Sequence, residues 1–508
     1  MITGSTIFVG VPLAAALVIY LLRGSRLVAV PLAMLAVLAL TWMLVALPYE
    51  PTERFLGIGL DPGGPISVLG RSLTLETDDR SALLFLYLAS IALIGAGLAV
   101  PVPRLFPPAA VAALGMFAAA LFVQPFVFAT AFLEAAAILA VLMLTDMEAT
   151  RPAPRGALRF LVFITFSLPF ILLTGWLLEL YAGSPEDVSL LSQATLLLSA
   201  GFAVLLAVVP FHSWIPSVAQ EASPPAAAFV FTVVHAAIIF FMLEFLNQFD
   251  WLRTNPEIYA LMRLAGVIMV GLGGAFAFAQ RSFGRLMGYA MVADYGAALL
   301  AIGHGSTAGL QVGLVLIGLR GLALSVWGVG LASLRAARPG LPDDDFARMR
   351  GLGYQRPVAA AAVVLGGLSL VGFPLTAGFA GRWALWRLLA ADYQSAAFIV
   401  LLAAVAVSLG YARGLAQLVQ KGAAAPEAAI PFAEAGAAPE VEMAQARDES
   451  LEEEPEEVAE AQPSRAGELV RIGLIGIGLT LILALGTFPQ WLLPAMAKAA
   501  EAFIGLAG

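Results

Sequence analysis

Apolar runs of roughly 18 to 25 residues recur along the whole chain with only short polar gaps between them, and no other feature restricts its fold as strongly. At 1.5 Å of rise per residue, a helix of that length crosses the ~30 Å hydrocarbon core of a bilayer. The backbone finds no water there, so each run must satisfy its own N–H and C=O groups by becoming a helix. The runs fall at 6–22, 27–47, 81–103, 108–123, 125–144, 157–181, 190–210, 225–247, 260–279, 286–303, 309–334, 357–390, 396–417 and 469–487. They predict an all-α, polytopic membrane protein with about fourteen transmembrane helices. Composition agrees: 60% of residues are hydrophobic, 12% are charged, and the mean hydropathy is +0.91, values for a chain dissolved in lipid. The first run carries no cleavable small-residue site and the second follows at once, so it reads as a retained helix.

Arginine sets the expected orientation. Numbering the gaps alternately places 18 of the 27 Lys and Arg residues on one side, among them Arg104, Arg155, Arg285, Arg335 and Arg413, and six on the other. The positive-inside rule assigns the first side to the cytoplasm, so a bacterial cytoplasmic-membrane location with both termini outside is expected.

Several chemistries are excluded on this chain. It has no cysteine, and therefore no thiolate-held iron–sulfur cluster, c-type haem or disulfide. His212, His235 and His304 are its only histidines, too few at mid-span for a bis-histidine haem. No phosphate-cradling glycine loop, metal-ligand cluster or nucleophile–base pair is visible, so no catalytic site, metal, cofactor or nucleic-acid partner is expected here. Residues 421–468 stand apart: 13 acids against Lys421, Arg447 and Arg465 give a local net of −10. This Ala-, Pro- and Glu-rich stretch reads as a solvated cytoplasmic linker or an isolated helix.

Two helices should break inside the membrane. In the seventh, Pro210 and Pro216 bracket VPFHSWIP; in the twelfth, Gly372, Pro374, Gly378 and Gly381 interrupt GFPLTAGFAGRW. Such breaks free backbone carbonyls that only protein or a water-filled cavity can satisfy. Paired interrupted segments are what inverted-repeat transporters show, with the ion site beside each break. The expected organisation is helices 1–3 over 1–107, a five-helix bundle over 108–247, a second over 260–417, the linker at 421–468, and a last helix and tail over 469–508. Ionisable residues within the spans complete the pattern. Glu134, His235 and Arg382 mark an intramembrane path by the cost of burying them. Arg320 at mid-span needs a partner, for which Asp294 is the candidate. His212, beside the first break, is better placed to cap freed carbonyls than to titrate.

Five segments carry a resemblance. VVPFHSWIPSVAQEASPPAAAF, FLEAAAIL around Glu134, QRSFGRLMGYAMVADYG, LVGFPLTAGFAGRW and LGTFPQWLL resemble, in order, segments of the antiporter-like subunits of respiratory complex I, which are similar to Mrp cation/proton antiporters and membrane-bound hydrogenase subunits. A base following the Pro and Gly residues of helix 12 is most similar to the subunit N members of that family. The resemblance implies a subunit that moves one proton while partner subunits hold quinone, NADH, flavin and iron–sulfur clusters. It places Glu134 on the family's helix-5 acid, His235 on its helix-8 base and Arg382 on its helix-12 base. The helix-7 lysine position, five residues before Pro210, is Leu205. Without that base, Glu134 must either find another cation or rest protonated. Arg382 holds its proton at any accessible pH, so it fixes charge and does not relay, which leaves His235 as the expected relay. Two alternatives remain open: an Mrp-type or hydrogenase subunit, and a subunit that braces such a complex without pumping.

Overall fold

The computed structural model describes residues 2–46, 52–55, 58–68, 70–76, 79–145, 155–337, 344–420 and 465–491. Sixteen helices can be followed through them: α1 (Thr6–Leu21), α2 (Arg26–Ala46), α3 (Asp79–Ala99), α4 (Phe106–Phe122), α5 (Phe126–Leu144), α6 (Arg155–Gly183), α7 (Ser189–Leu205), α8 (Trp214–Glu221), α9 (Pro224–Gln248), α10 (Pro256–Ala279), α11 (Phe283–Ile302), α12 (Thr307–Arg335), α13 (Pro357–Leu370), α14 (Gly378–Asp392), α15 (Gln394–Leu418) and α16 (Arg465–Thr487). Each predicted apolar run coincides with one of these helices or with a pair separated by a break. Among the described residues, nine are long and apolar enough to cross a membrane.

Small additions and two corrections accompany that agreement. Short strand ladders fill the gap between α2 and α3: Thr52–Phe55 pairs with Ile58–Asp61, and Ile66–Val68 with Arg71–Leu73, which also holds Val123–Gln124 ahead of α5. The last helix begins at Arg465, not at 469, inside the stretch expected to be linker; positions 421–464 of that linker lie outside the described residues. Pro216 does not flank the first break. It is the third residue of α8, a first-turn position whose N–H would have no intrahelical partner in any residue, which is why proline is tolerated there.

The helices are tied by close backbone approach as well as by side chains. A Cβ at Gly273 would sit 2.6 Å from the Ala293 nitrogen, so only glycine lets α10 lie this close along α11. Helix α9 is buried over an 18-residue apolar stretch, and the side chains on α2, α6, α15 and α16 leave an outer surface of large apolar residues such as Leu35, Val162, Phe398 and Ile477, as a lipid-facing shell requires.

Away from the helix centres, one carboxylate fastens three helices. Asp344 is buried; its Oδ1 accepts from Ser282 Oγ at 2.5 Å, and its Oδ2 accepts from the Gly284 N–H at 2.7 Å and from Arg335 at 2.8 Å. It therefore sits at the N-terminus of α11, where helix dipole and free N–H groups favour an anion. Arg335 in turn donates to the carbonyls of Gln220 and Ala222, each at 2.9 Å, at the C-terminal end of α8, the complementary cation position. Replacing Asp344 by alanine is expected to cost about 3 kcal/mol, since it strands a partly buried guanidinium and two donors. Thermal unfolding in detergent checks this; an unchanged midpoint would mean that the pair is not holding α8, α11 and α12 together.

Candidate functional site: a buried ionic cluster between two helix breaks

The second break shows why the sequence spends glycine there. Helix α13 stops at Leu370, and the chain turns through Gly372 at φ +78 before α14 starts at Gly378. A side chain on Gly372 would collide with the Arg382 stem. The turn frees the Leu370 carbonyl, and Arg382 satisfies it, with Nε at 3.3 Å and Nη2 at 3.1 Å. The carbonyl freed at the break is thus satisfied by protein, through Arg382. Pro374 lies in the turn, where its missing N–H removes a donor that no helix would use.

Arg382 also reaches across to α11. Its Nη2 donates to Asp294 Oδ1 at 2.5 Å, while Arg320 Nε of α12 donates to Asp294 Oδ2 at 2.6 Å. One carboxylate therefore bridges two guanidiniums. Arg320 continues the chain: its Nη1 lies 2.9 Å from His235 Nδ1 and 3.5 Å from the Phe231 carbonyl. A guanidinium only donates, so Nδ1 of His235 accepts and the ring's single proton sits on Nε2.

Helix α9 is locally underwound to deliver this geometry. Residues Val230–Val234 form a π turn directly before His235, and π turns leave carbonyls outside the usual i→i+4 ladder. The Phe231 carbonyl is used twice, by Arg320 and by Tyr295 Oη at 3.0 Å. Tyr295 stacks on His235 with ring centroids 3.3 Å apart and lies under the Arg320 guanidinium, 4.7 Å from its ring centre, so cation–π attraction adds to the ion pairs. Nothing in this cluster points at lipid: Asp294 and Arg320 are 1% exposed, His235 3% and Arg382 8%. With the ring neutral, one acid and two bases leave a net +1. His235 Nε2, Arg320 Nη2 and Thr232 Oγ1 have no partner among the described residues, and these buried donors call for an acceptor, which water can supply.

The remaining expected residues lie elsewhere. Glu134 accepts from Thr165 Oγ1 at 2.5 Å, on the α5–α6 side, and its Oε2 is buried without a partner among the described residues. Among the described residues, no cation pairs with it. Leu205 ends α7 and is buried, so the position that the resemblance assigns to a base is filled by packing. After α7, Ala207 adopts φ 54, and His212 sits in the single turn Phe211–Ser213 against the Pro210 backbone, with its Nδ1 unpartnered among the described residues. Among the described residues, no hydrogen bond joins it to the cluster. Tyr295 and the π turn were not anticipated; the signal available was the tyrosine adjoining Asp294 in ADYG.

Comparison with known proteins agrees with this architecture. A profile of the family described as NADH:quinone oxidoreductase/Mrp antiporter, TM, matches residues 191–410. NADH-quinone oxidoreductase subunit N of Deinococcus radiodurans is 30% identical over 237 residues, 46% of this chain and 47% of that protein. Subunit N 1 of Solidesulfovibrio magneticus is 31% identical over 350 residues, 67% and 66% respectively. The matched segment thus spans about half of the first of these relatives and about two thirds of the second. In fold, the chain matches a chain of respiratory complex I from Thermus thermophilus with TM-score 0.70 and 21% identity over 99% of this chain and 100% of that one. It matches one of the Mrp complex from Dietzia sp. with TM-score 0.68 and 17% identity over 99% and 97%. The cluster of His235, Arg320, Asp294 and Arg382 is therefore set in a known scaffold, and the chain belongs to the antiporter-like membrane subunits of the NADH:quinone oxidoreductase/Mrp antiporter superfamily, within which it resembles subunit N.

Proposed function

We propose that this chain is a proton-translocating subunit of a complex I-type NADH-quinone oxidoreductase in a bacterial cytoplasmic membrane, with both termini outside. It holds no redox group of its own; electron transfer through NADH, flavin, iron–sulfur clusters and quinone takes place in partner subunits, alongside other antiporter-like and small membrane subunits. The bundles at 108–247 and 260–417 act as its two repeats. The observation that carries this reading is the shared carboxylate: Asp294 joins Arg320 and Arg382, and Arg320 is also the hydrogen-bond donor to His235.

That arrangement is a switch in chemical terms. A second proton on His235 belongs on Nδ1, which Arg320 occupies as donor, so loading the ring breaks that bond and repels the guanidinium. Asp294 is the adjacent anion that takes it up. Unloading reverses the motion. Arg320 and Arg382 keep their protons throughout; they move charge by position, and His235 is the group that gains and loses a proton. Replacing His235 by alanine should lower proton translocation at least about tenfold in vesicles containing the assembled complex, with electron transfer slowed or uncoupled. Unchanged proton stoichiometry and rate would reject His235 as the relay. A second reading, a non-pumping brace, draws on Glu134, which has no cation among the described residues, and on Leu205; the same measurement separates the two. Replacing translocated H+ by Na+ in the assay distinguishes the Mrp-like alternative.

A further inference from the structure

His304, two residues beyond the end of α11, and Asp392, the last residue of α14, repeat the contact that Asp294 and Arg382 make inside. His304 Nε2 lies 3.1 Å from Asp392 Oδ2. Both pairs join residues 88 positions apart, so α11 and α14 run parallel with two charged rungs ten positions, about 15 Å, from each other. The inner rung is sealed. The outer rung is open on one side, with side-chain exposure of 14% for His304 and 58% for Asp392, and it lies at the end of the bundle opposite the arginine-rich gaps.

The partners of His304 differ in kind from those of His235. A carboxylate only accepts, so Asp392 requires a proton on Nε2. At Nδ1 stands Ser306 Oγ, 2.7 Å away, which also accepts from the Gly309 N–H at 3.1 Å. A hydroxyl carries one proton and two acceptor positions; it can donate to a neutral ring or, after rotating, accept from an imidazolium. Both charge states therefore keep every hydrogen bond. The other groups facing this site do not compete for the proton: Arg263 donates to the Gly303 carbonyl at 2.5 Å and lies 4.7 Å over the Tyr393 ring, Tyr393 meets His304 edge-on at 6.0 Å, and Tyr259 packs against Gly305.

We infer that His304, held by Asp392 and Ser306, is the proton-exchange group at the arginine-poor mouth of the second bundle, passing protons between the buried cluster and the aqueous phase on that side; this rests on the proton-translocation reading above. A proton arriving from the interior binds Nδ1 and makes the imidazolium. Loss of the Nε2 proton to water beside Asp392 leaves a neutral ring, so one proton has crossed it. The remaining proton then moves from Nδ1 to Nε2 through water at the exposed side of the site, which restores the starting tautomer with no further proton taken from or returned to either phase.

The test uses the assembled complex in sealed vesicles with defined pH on each side. H304Q is expected to slow proton translocation about threefold or more and to flatten its dependence on the pH of the arginine-poor side. D392N keeps an acceptor for Nε2 at a solvent-exposed position; a shift of that pH profile, with assembly intact, is expected from it. If both variants match the wild type in rate and profile while D294A abolishes translocation, the inference is overturned and the function stands. A wild-type complex that moves no protons would remove both.

Discussion

Replacing Asp294 by alanine is expected to be the most damaging single substitution in the membrane interior. It leaves Arg320 and Arg382, both nearly inaccessible, with no counter-charge, and the cluster passes from a net +1 to +2. Removing one partner of a buried ion pair costs about 3 to 5 kcal/mol, and here two pairs are lost together. The protein should accumulate poorly, and the fraction that assembles should translocate protons more than about tenfold more slowly, because Arg320 no longer has an anion to receive it. Asp294→Asn preserves shape and one acceptor but not the charge; it should assemble better than the alanine variant and translocate no better. A double-mutant cycle distinguishes this account from simple cavity formation. Adding Arg320→Ala to Asp294→Ala should cost less than Arg320→Ala alone, since the stranded cation is removed. Strict additivity would show that the two residues do not share a charge network.

Much of this site was open to reading before any coordinates, for one reason: burying charge in hydrocarbon is costly enough to make each instance conspicuous. Arg320 demanded a partner and Asp294 was the available acid, so their pairing followed. Arg382 stood out beside a proline- and glycine-rich break, and its contact with the Leu370 carbonyl is what freed backbone requires. What sequence could not supply was that both guanidiniums use the same carboxylate, because that depends on how α11, α12 and α14 meet in space. The π turn before His235 was hidden as well, since its residues VFTVV carry no glycine or proline to mark it. Glu134 illustrates the opposite hazard. Its place in the expected path came from the cost of burying a carboxylate and from the family's helix-5 position, yet the base that would pair with it is Leu205 here, and the structure gives it Thr165. His304 was passed over because it lies at a helix end, where a histidine costs nothing and attracts no notice; only the contact with Asp392, distant in sequence, gives it meaning.

Replacing Gly378 by alanine should have an effect second only to loss of Asp294, though it adds one methyl group and no charge. Gly378 opens α14 with ordinary right-handed geometry, so the cause is space and not conformational freedom. A Cβ there would lie inside the van der Waals sphere of the Ser369 carbonyl oxygen, which is backbone and cannot rotate away. The Gly378 N–H also meets Ser369 Oγ at 3.3 Å. To admit the methyl, α14 must move off the end of α13, and Arg382, one turn further along, moves with it, stretching its bonds to Leu370 and Asp294. Overpacking against rigid backbone together with strain on a buried ion pair should cost about 3 kcal/mol or more. A control is built into α16: around Gly473 a Cβ meets nothing within 4 Å, and alanine in a helix interior is favoured over glycine by up to about 1 kcal/mol. Gly473→Ala should therefore leave thermal stability and translocation unchanged or slightly raised, while Gly378→Ala lowers the unfolding midpoint and slows translocation per assembled complex. Equal behaviour of the two variants would mean that the α13–α14 break has enough slack to absorb a methyl, and with it that Arg382 is not held in register by the break.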